Sequence, residues 1–304
     1  MINSYSYKPY PAFGYKNDRE SRANLTFGVE LEVEPRNDGG NVRMDRYELS
    51  DAIDLVPGGR TYCKADGSLD SGVEIVSHPG TLAHHMYVMH WRQICRTCEK
   101  AGFRSHDARN CGLHVHVGRE QLGRTDDERD DVVRKVQVLF SLYSAELTRF
   151  SRRALHRLNE WAPIRTYSDL SRSMDPDDLQ HWAEWNLATC EADHSDRYTA
   201  VNLTNGATVE IRIFRGTLKR DTLIAAIQLV SNIFEYAMTH TWADILTSTW
   251  AEIAAYKPYK EVTAYMETRG LLSDGDVQTT LPAGNRPPDF FGTDGLARAT
   301  ATPA

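Results

Sequence analysis

The chain has 304 residues, 41% hydrophobic and 25% charged, an ordinary globular composition with apolar material for a sizeable core. Thirty-five basic against forty-two acidic side chains leave a formal charge of −7, which excludes a protein that coats nucleic acid through a generally basic surface. No stretch approaches the roughly 20 apolar residues of a membrane-spanning helix; the most apolar run, Leu223 to Val230, is interrupted by Gln228.

The chain opens on MINSYSYKPYPAFGYK, with tyrosines and prolines where a signal peptide needs an apolar run. Residues 1–24 have no sustained periodicity and read as an extended arm. Leu25 to Glu34 (LTFGVELEVE) then alternates at period two, with Phe27, Val29, Leu31 and Val33 on one face and Glu30, Glu32 and Glu34 on the other. Further strands are predicted at Arg60–Ala65, Val73–Ser77, Gly112–Gly118, Tyr198–Thr204 and Thr208–Phe214. Helices are predicted at Asp45–Val56, Leu82–Ala101, Asp126–Leu158, Asp177–Ala188, Arg220–Thr239, Trp242–Ala255 and Lys260–Arg269. Thr125 and Glu128 form a capping box at the start of the longest of these. Trp182 and Trp185 stand at helical spacing and read as core residues. From residue 272 the chain is dense in Gly, Pro, Thr and Asp, with only Phe290 and Phe291 to pin it, and reads as a flexible tail to residue 304. Strands and helices without regular alternation predict the α+β class, a mainly antiparallel sheet backed by helices. Length alone allows about two domains, but the site described next draws on most of the chain, so one domain over residues 25–271 is expected.

Each of four strand-like segments puts ionisable groups on one face and aliphatics on the other. Glu30 and Glu32 share a face of the first. Glu74 lies in VEIVS, eight residues after Asp66, with Asp-Gly and Ser-Gly turn signals between them. His114 and His116 alternate with Leu113, Val115 and Val117, and Glu210 and Arg212 alternate with Val209, Ile211 and Ile213. On any one strand the plain alternative is a solvated face, since antiparallel sheets commonly have one. Four strands carrying Glu, His and Arg in this way argue for more. Clustered carboxylates raise one another's pKa unless a cation neutralises them, and hard divalent ions prefer carboxylate oxygens. A histidine among them widens the choice from Mg2+ to Mn2+ or Zn2+. Arg197, Arg212 and Arg215 lie on or beside the last two strands, where guanidinium groups suit an anionic substrate; cross-strand ion pairs are their alternative use.

Other motifs carry less. Cys95 and Cys98 look like half a zinc site, yet with Tyr87, Trp91 and Ile94 they form an apolar helical stripe and read as buried thiols. Five cysteines, an odd number, make no disulfide framework and fit a reducing, cytoplasmic compartment. Neither a GxxxxGK[ST] nor a GxGxxG phosphate loop occurs, nor a GxSxG elbow.

Taken together, FGVELE (27–32), DGSLDSGVEIVS (66–77), CGLHVHVG (111–118) and RYTAVNLTNGATVEIRIFRGTL (197–218) resemble, in their order, the amidoligase family, carboxylate–amine ligases related to glutamine synthetase and glutamate–cysteine ligase. The resemblance implies a curved, mainly antiparallel sheet like the glutamine synthetase catalytic domain, binding ATP and Mg2+ or Mn2+ on its concave face. It implies one metal site at Glu32, Asp66 and Glu74 and another at Glu30, His114 and Glu210. It also implies His116 towards the nucleotide phosphates and Arg197 and Arg212, with Arg215 beside them, at the transferred phosphoryl group. Residues 159–196 match none of the four pieces. The implied reaction joins a small-molecule or peptide carboxylate to an amine through an acyl phosphate, with no bulk nucleic acid or membrane as partner. A metal-dependent phosphoesterase or nuclease could use the same acidic face, and a binding protein could have kept the scaffold without the reaction.

Overall fold

Strand β2 (Thr26–Pro35) is the organising element, and its alternating sequence explains why. Phe27, Val29, Leu31 and Val33 are buried to within 1% of full exclusion, so this face can only be satisfied against helices. A computed structural model of the chain describes residues 1–36, 42–58, 60–106, 108, 110–192 and 197–272, the last residues of one helix (188–192) by backbone alone. The tail expected to be flexible lies almost wholly outside these residues.

The strands are β1 (Ile2–Asn3), β2, β3 (Thr61–Lys64), β4 (Val73–Ser77), β5 (Gly80–Thr81), β6 (Phe103–Arg104), β7 (Gly112–Gly118), β8 (Val201–Asn202) and β9 (Thr208–Arg215). They form one open sheet in the order β1-β3-β4-β2-β7-β9-β8, with β5 and β6 also pairing with β2. Every ladder is antiparallel except β1 on β3. The α+β class expected from the sequence is therefore the one observed, although the predicted strand at Tyr198–Thr204 shrinks to Val201–Asn202.

Helices α1 (Arg46–Asp54), α2 (Leu82–Tyr87), α3 (Trp91–Ala101), α4 (Asp126–Leu142), α5 (Ser144–Ser151), α6 (Leu155–Trp161), α7 (Pro176–Ala192), α8 (Arg220–Thr239), α9 (Trp242–Thr247), α10 (Trp250–Ala254) and α11 (Lys260–Glu267) make up the rest. The long, apolar α8 touches β7 and also α2, α3, α4, α10 and α11; α5 packs on β9 and α1 on β3. The capping box at Thr125 and Glu128 is present, the Thr125 hydroxyl accepting from the Glu128 N–H at 3.2 Å.

Four helical expectations are corrected. Trp242–Ala255 divides into α9 and α10, Ser248 ending the first and the Thr249 hydroxyl capping the second. Leu82–Ala101 divides into α2 and α3, because the break lets the fully buried Trp91 turn back on His85 and donate its indole N–H to His85 Nδ1 at 3.3 Å. Asp126–Leu158 divides into α4, α5 and α6: Tyr143 leaves helical geometry to donate to the Ser248 carbonyl at 2.5 Å, and Arg152 ends α5 in the left-handed region at φ 54°. On α7 the buried stripe is Leu179, Ala183 and Leu187, so Trp182 lies at its margin and Trp185 is 84% exposed rather than in the core. Cys95 and Cys98 are buried free thiols as read; burial pushes Cys95 up to about 12 and Cys98 well up as well.

The arm is not loose. β1 pairs with β3, Gly14 bridges to Gly80, and the Arg60 guanidinium donates to the Ala12 carbonyl at 3.1 Å.

Candidate active site

Because side chains alternate along a strand, every second residue of β3, β4, β2, β7 and β9 faces away from the helices. Register then aligns them across strands. Lys64 lies opposite Glu74, and Glu74 opposite Glu32. Glu30 lies opposite His114, and His116 opposite Glu210. Between β7 and β9 the pairing steps from Leu113–Phe214 to Val115–Ile211, so β9 holds one extra residue beside His114. Such a bulge re-aims side chains, and here Arg212 donates to Glu210 Oε1 at 2.5 Å while its own N–H reaches the Ala200 carbonyl.

His114 is the hub. Its Nδ1 stands 3.3 Å from Glu30 Oε2 and 3.4 Å from Glu210 Oε1. Two sets of potential ligand atoms, each within 4.8 Å of one another, share it: Glu30, His114 and Glu210, and Glu32, Glu74 and His114. His116 Nε2 lies 3.3 Å from Glu30 Oε1 and its Nδ1 3.2 Å from Thr208 Oγ1. Asn202 donates to Glu210 Oε2 at 2.6 Å, and the Gly112 N–H donates to Glu32 Oε2 at 2.5 Å. A Cβ on residue 112 would sit 3.0 Å from His114 Nε2 and 3.4 Å from Glu32 Oε2, so a side chain there would crowd the backbone's approach to this carboxylate.

The electrostatics match a site short of positive charge. Burial drives the Glu74 carboxyl well above the ordinary carboxylate range, and Glu30, Glu32 and Asp66 push the same way against Lys64 alone. Burial likewise raises Glu32, in spite of His114 and the Gly112 N–H. At Glu30 burial acts upward, but His116 and His114 outweigh it and hold the carboxyl well below its usual value. His116 is raised in turn: burial would lower it, and Glu30 and Glu210 more than compensate. Buried, mutually repelling carboxylates with a neutral-capable nitrogen between them form a donor set that suits a hard divalent cation.

Two cavities meet at Glu30 and Lys64. One of about 410 Å³ covers the acidic cluster and is also bordered by Tyr5, Asp66, Arg153, Arg197 and Arg212. The other, about 860 Å³, lies on the His116 side, with Lys8, Arg22, Arg119 and Arg129 in its walls.

The structure thus brings Glu30, Glu32, Glu74, His114, His116, Glu210 and Arg212 together. Asp66 borders the smaller cavity, but its Oδ1 accepts from the Ser68 N–H at 2.7 Å and the Ser68 hydroxyl at 2.5 Å, and it is in neither ligand set; His114 completes the set expected to include it. Arg197 stands at the mouth, hydrogen-bonded to the Tyr5 and Tyr198 hydroxyls. Arg215 borders neither cavity, since its Nε donates to the His106 carbonyl at 2.6 Å. Sequence reasoning missed Lys64, Arg153, Asn202 and Tyr5. Lys64 had a signal, because in TYCKAD the buried Cys63 alternates with Tyr62 and Lys64. Arg153 had none: the Arg152 turn brings it to the sheet, where its Nη1 donates to the Arg212 carbonyl at 3.0 Å.

Among protein families, the one described as "Putative amidoligase enzyme" matches residues 49–234. That span holds Glu74, His114 and Glu210 and stops short of β2, whose Glu30 and Glu32 reach them through the sheet register. No curated protein matches the chain. Among solved structures, it is similar to a bifunctional glutathione synthetase from Pasteurella multocida (13% identity, 81% of this chain and 46% of that one, TM-score 0.42). It is also similar to GmaS in an ADP complex (11%, 82% and 69%, TM-score 0.41). A third is the complex of the prokaryotic ubiquitin-like protein Pup with its ligase PafA (9%, 82% and 63%, TM-score 0.39). The chain spans about half the length of the glutathione synthetase it matches.

Proposed function

The chain belongs to the amidoligase family, and from that premise we propose that it is an ATP-dependent carboxylate–amine ligase that works through an acyl phosphate. The observation that carries this reading is the convergence of Glu30, Glu32, Glu74 and Glu210 on His114, from β2, β4 and β9 onto β7, beside two cavities whose walls carry lysines and arginines as well as acids. Glu30, His114 and Glu210 would hold one divalent cation and Glu32 and Glu74, with His114 or Asp66, another. Bound there, Mg2+ or Mn2+ would offset charge on the phosphoryl oxygens.

The chain's own residues have separable roles. Lys8 and Arg119, in the wall on the His116 side, meet the polyphosphate, and His116, its charge favoured by Glu30 and Glu210, faces its oxygens. The substrate carboxylate oxygen attacks the γ-phosphorus and ADP leaves. Arg212, fixed by Glu210, presents its guanidinium where negative charge grows during that transfer. The amine nitrogen then attacks the acyl carbon, phosphate departs and the amine loses its proton. Arg197, at the mouth of the smaller cavity, meets the carboxylate substrate as it enters. Among the described residues no helix is long and apolar enough to cross a membrane, and we place the protein in the cytoplasm, where ATP is supplied.

Two variants test this. Glu210→Gln keeps the shape and removes a ligand charge, so it should weaken the stabilisation that Mg2+ confers, about 2.7 kcal/mol at a hundredfold excess over Kd. Arg212→Lys keeps the charge and loses the planar fork. It should spare metal binding and cut amine-dependent ADP release about a hundredfold at saturating Mg2+. If ADP release across a panel of amino acids, polyamines and peptides never depends on an amine, the ligase reading fails.

A further inference from the structure

The row of acids across β2 and β4 ends, on β3, in a cation. Glu32, Glu74 and Lys64 occupy consecutive register positions on the same face, and Lys64 Nζ stands 3.2 Å from Glu74 Oε2. Both side chains are nearly excluded from solvent, at 12% for Lys64 and 4% for Glu74. We propose that the Lys64 ammonium is a built-in counter-ion of the Glu32–Glu74–His114 group, which a divalent cation must displace and which an anion in the adjoining larger cavity draws away. The inference rests on the reading that these acids hold divalent cations.

Several observations fix the direction of that displacement. Lys64 borders both cavities, so its flexible stem can swing the ammonium from Glu74 towards the His116 side without any backbone change. The outer side is closed: β1 lies along β3 with Asn3 beside Lys64, and the Tyr5 ring stands 5.6 Å from Nζ. In the larger cavity's wall Arg22 pairs with Glu120 at 3.0 Å and Arg129 with Asp126 at 2.8 Å, so an anion bound there would take Lys8 and the Lys64 ammonium as its charge partners. An arginine would hold Glu74 through a fixed fork; a lysine makes a single point contact and can leave. Metal entry and anion binding are thereby coupled through one side chain, each favouring the other.

The test measures Mn2+ binding to the full-length protein by the paramagnetic resonance signal of free Mn2+, with no nucleotide present. Lys64→Met, which keeps the stem and loses the charge, should bind Mn2+ about tenfold tighter than wild type. Sulfate, exchanged for chloride at constant ionic strength, should tighten Mn2+ binding in the wild type and leave Lys64→Met unmoved. Lys64→Gln, a second neutral variant, guards against misfolding of the first, and circular dichroism checks both. Unchanged or weaker Mn2+ binding in folded neutral variants overturns the inference while leaving the ligase reading standing. A wild type that binds no Mn2+ overturns the metal reading, and this inference with it.

Discussion

His85 sits between a group that can only accept a proton and one that can only donate. Its Nε2 faces the Phe27 carbonyl at 2.8 Å and its Nδ1 faces the Trp91 indole N–H at 3.3 Å, so the ring is neutral with its proton on Nε2. Burial pushes its pKa down to about 4 from the ordinary 6.5, against the Phe27 carbonyl. The unfolded chain therefore takes up this proton first as acid is added. Stability should fall as pH drops from 6.5 towards 4 and level off below, by about 3 kcal/mol from this residue. His84, also lowered by burial, adds to the same limb. Chemical denaturation at a series of pH values checks this: His85→Gln should be less stable at neutral pH yet show a shallower slope between those limits. An unchanged slope would place the acid sensitivity elsewhere.

The short break between α5 and α6 decides what reaches the sheet. Arg152 adopts φ 54° and ψ 14°, the only non-glycine with positive φ among the described residues, and its side chain is exposed. Glycine there relieves the backbone but adds freedom to the unfolded chain, two effects of about 1 kcal/mol that nearly cancel. A β-branched residue has only the penalty, about 1–2 kcal/mol. Thermal melts should thus find Arg152→Gly close to wild type and Arg152→Val lower by a few degrees. The same break shows what the sequence could convey. Period-two alternation put Glu30, His114, His116, Glu210 and Arg212 on the faces of their strands opposite the aliphatic ones without any structure, because a sheet with one face covered by helices permits no other phase. Helix breaks at Val88, Tyr143 and Arg152 left no Gly or Pro signal, since tertiary partners such as Ser248 and His85 cause them. Asp66, a ligand by the family resemblance, borders the smaller cavity with one oxygen turned to the Ser68 N–H, a turn that the Asp-Gly-Ser sequence signals.

For the whole chain, we propose a single folded unit over residues 25–271 with the first 24 residues strapped to it. The arm supplies β1 and puts Tyr5 and Lys8 in the cavity walls, so deleting residues 1–13 should lower the melting temperature and expose Lys64. Faster chemical labelling of Lys64 in the truncated protein would report the loss, and labelling at the wild-type rate would show the arm to be dispensable. Limited proteolysis between residues 120 and 195 should yield no separable stable fragment, because Glu30 and Glu210 belong to one site. The sheet's margins have a further effect. Its outermost strands on the described path, β1 and β8, are two residues each, so neither offers a long row of free backbone groups to a neighbouring molecule. Strand-by-strand growth into fibrils is thereby discouraged at both ends of the sheet, and concentrated solutions should fail first by clumping through exposed side chains such as Trp185.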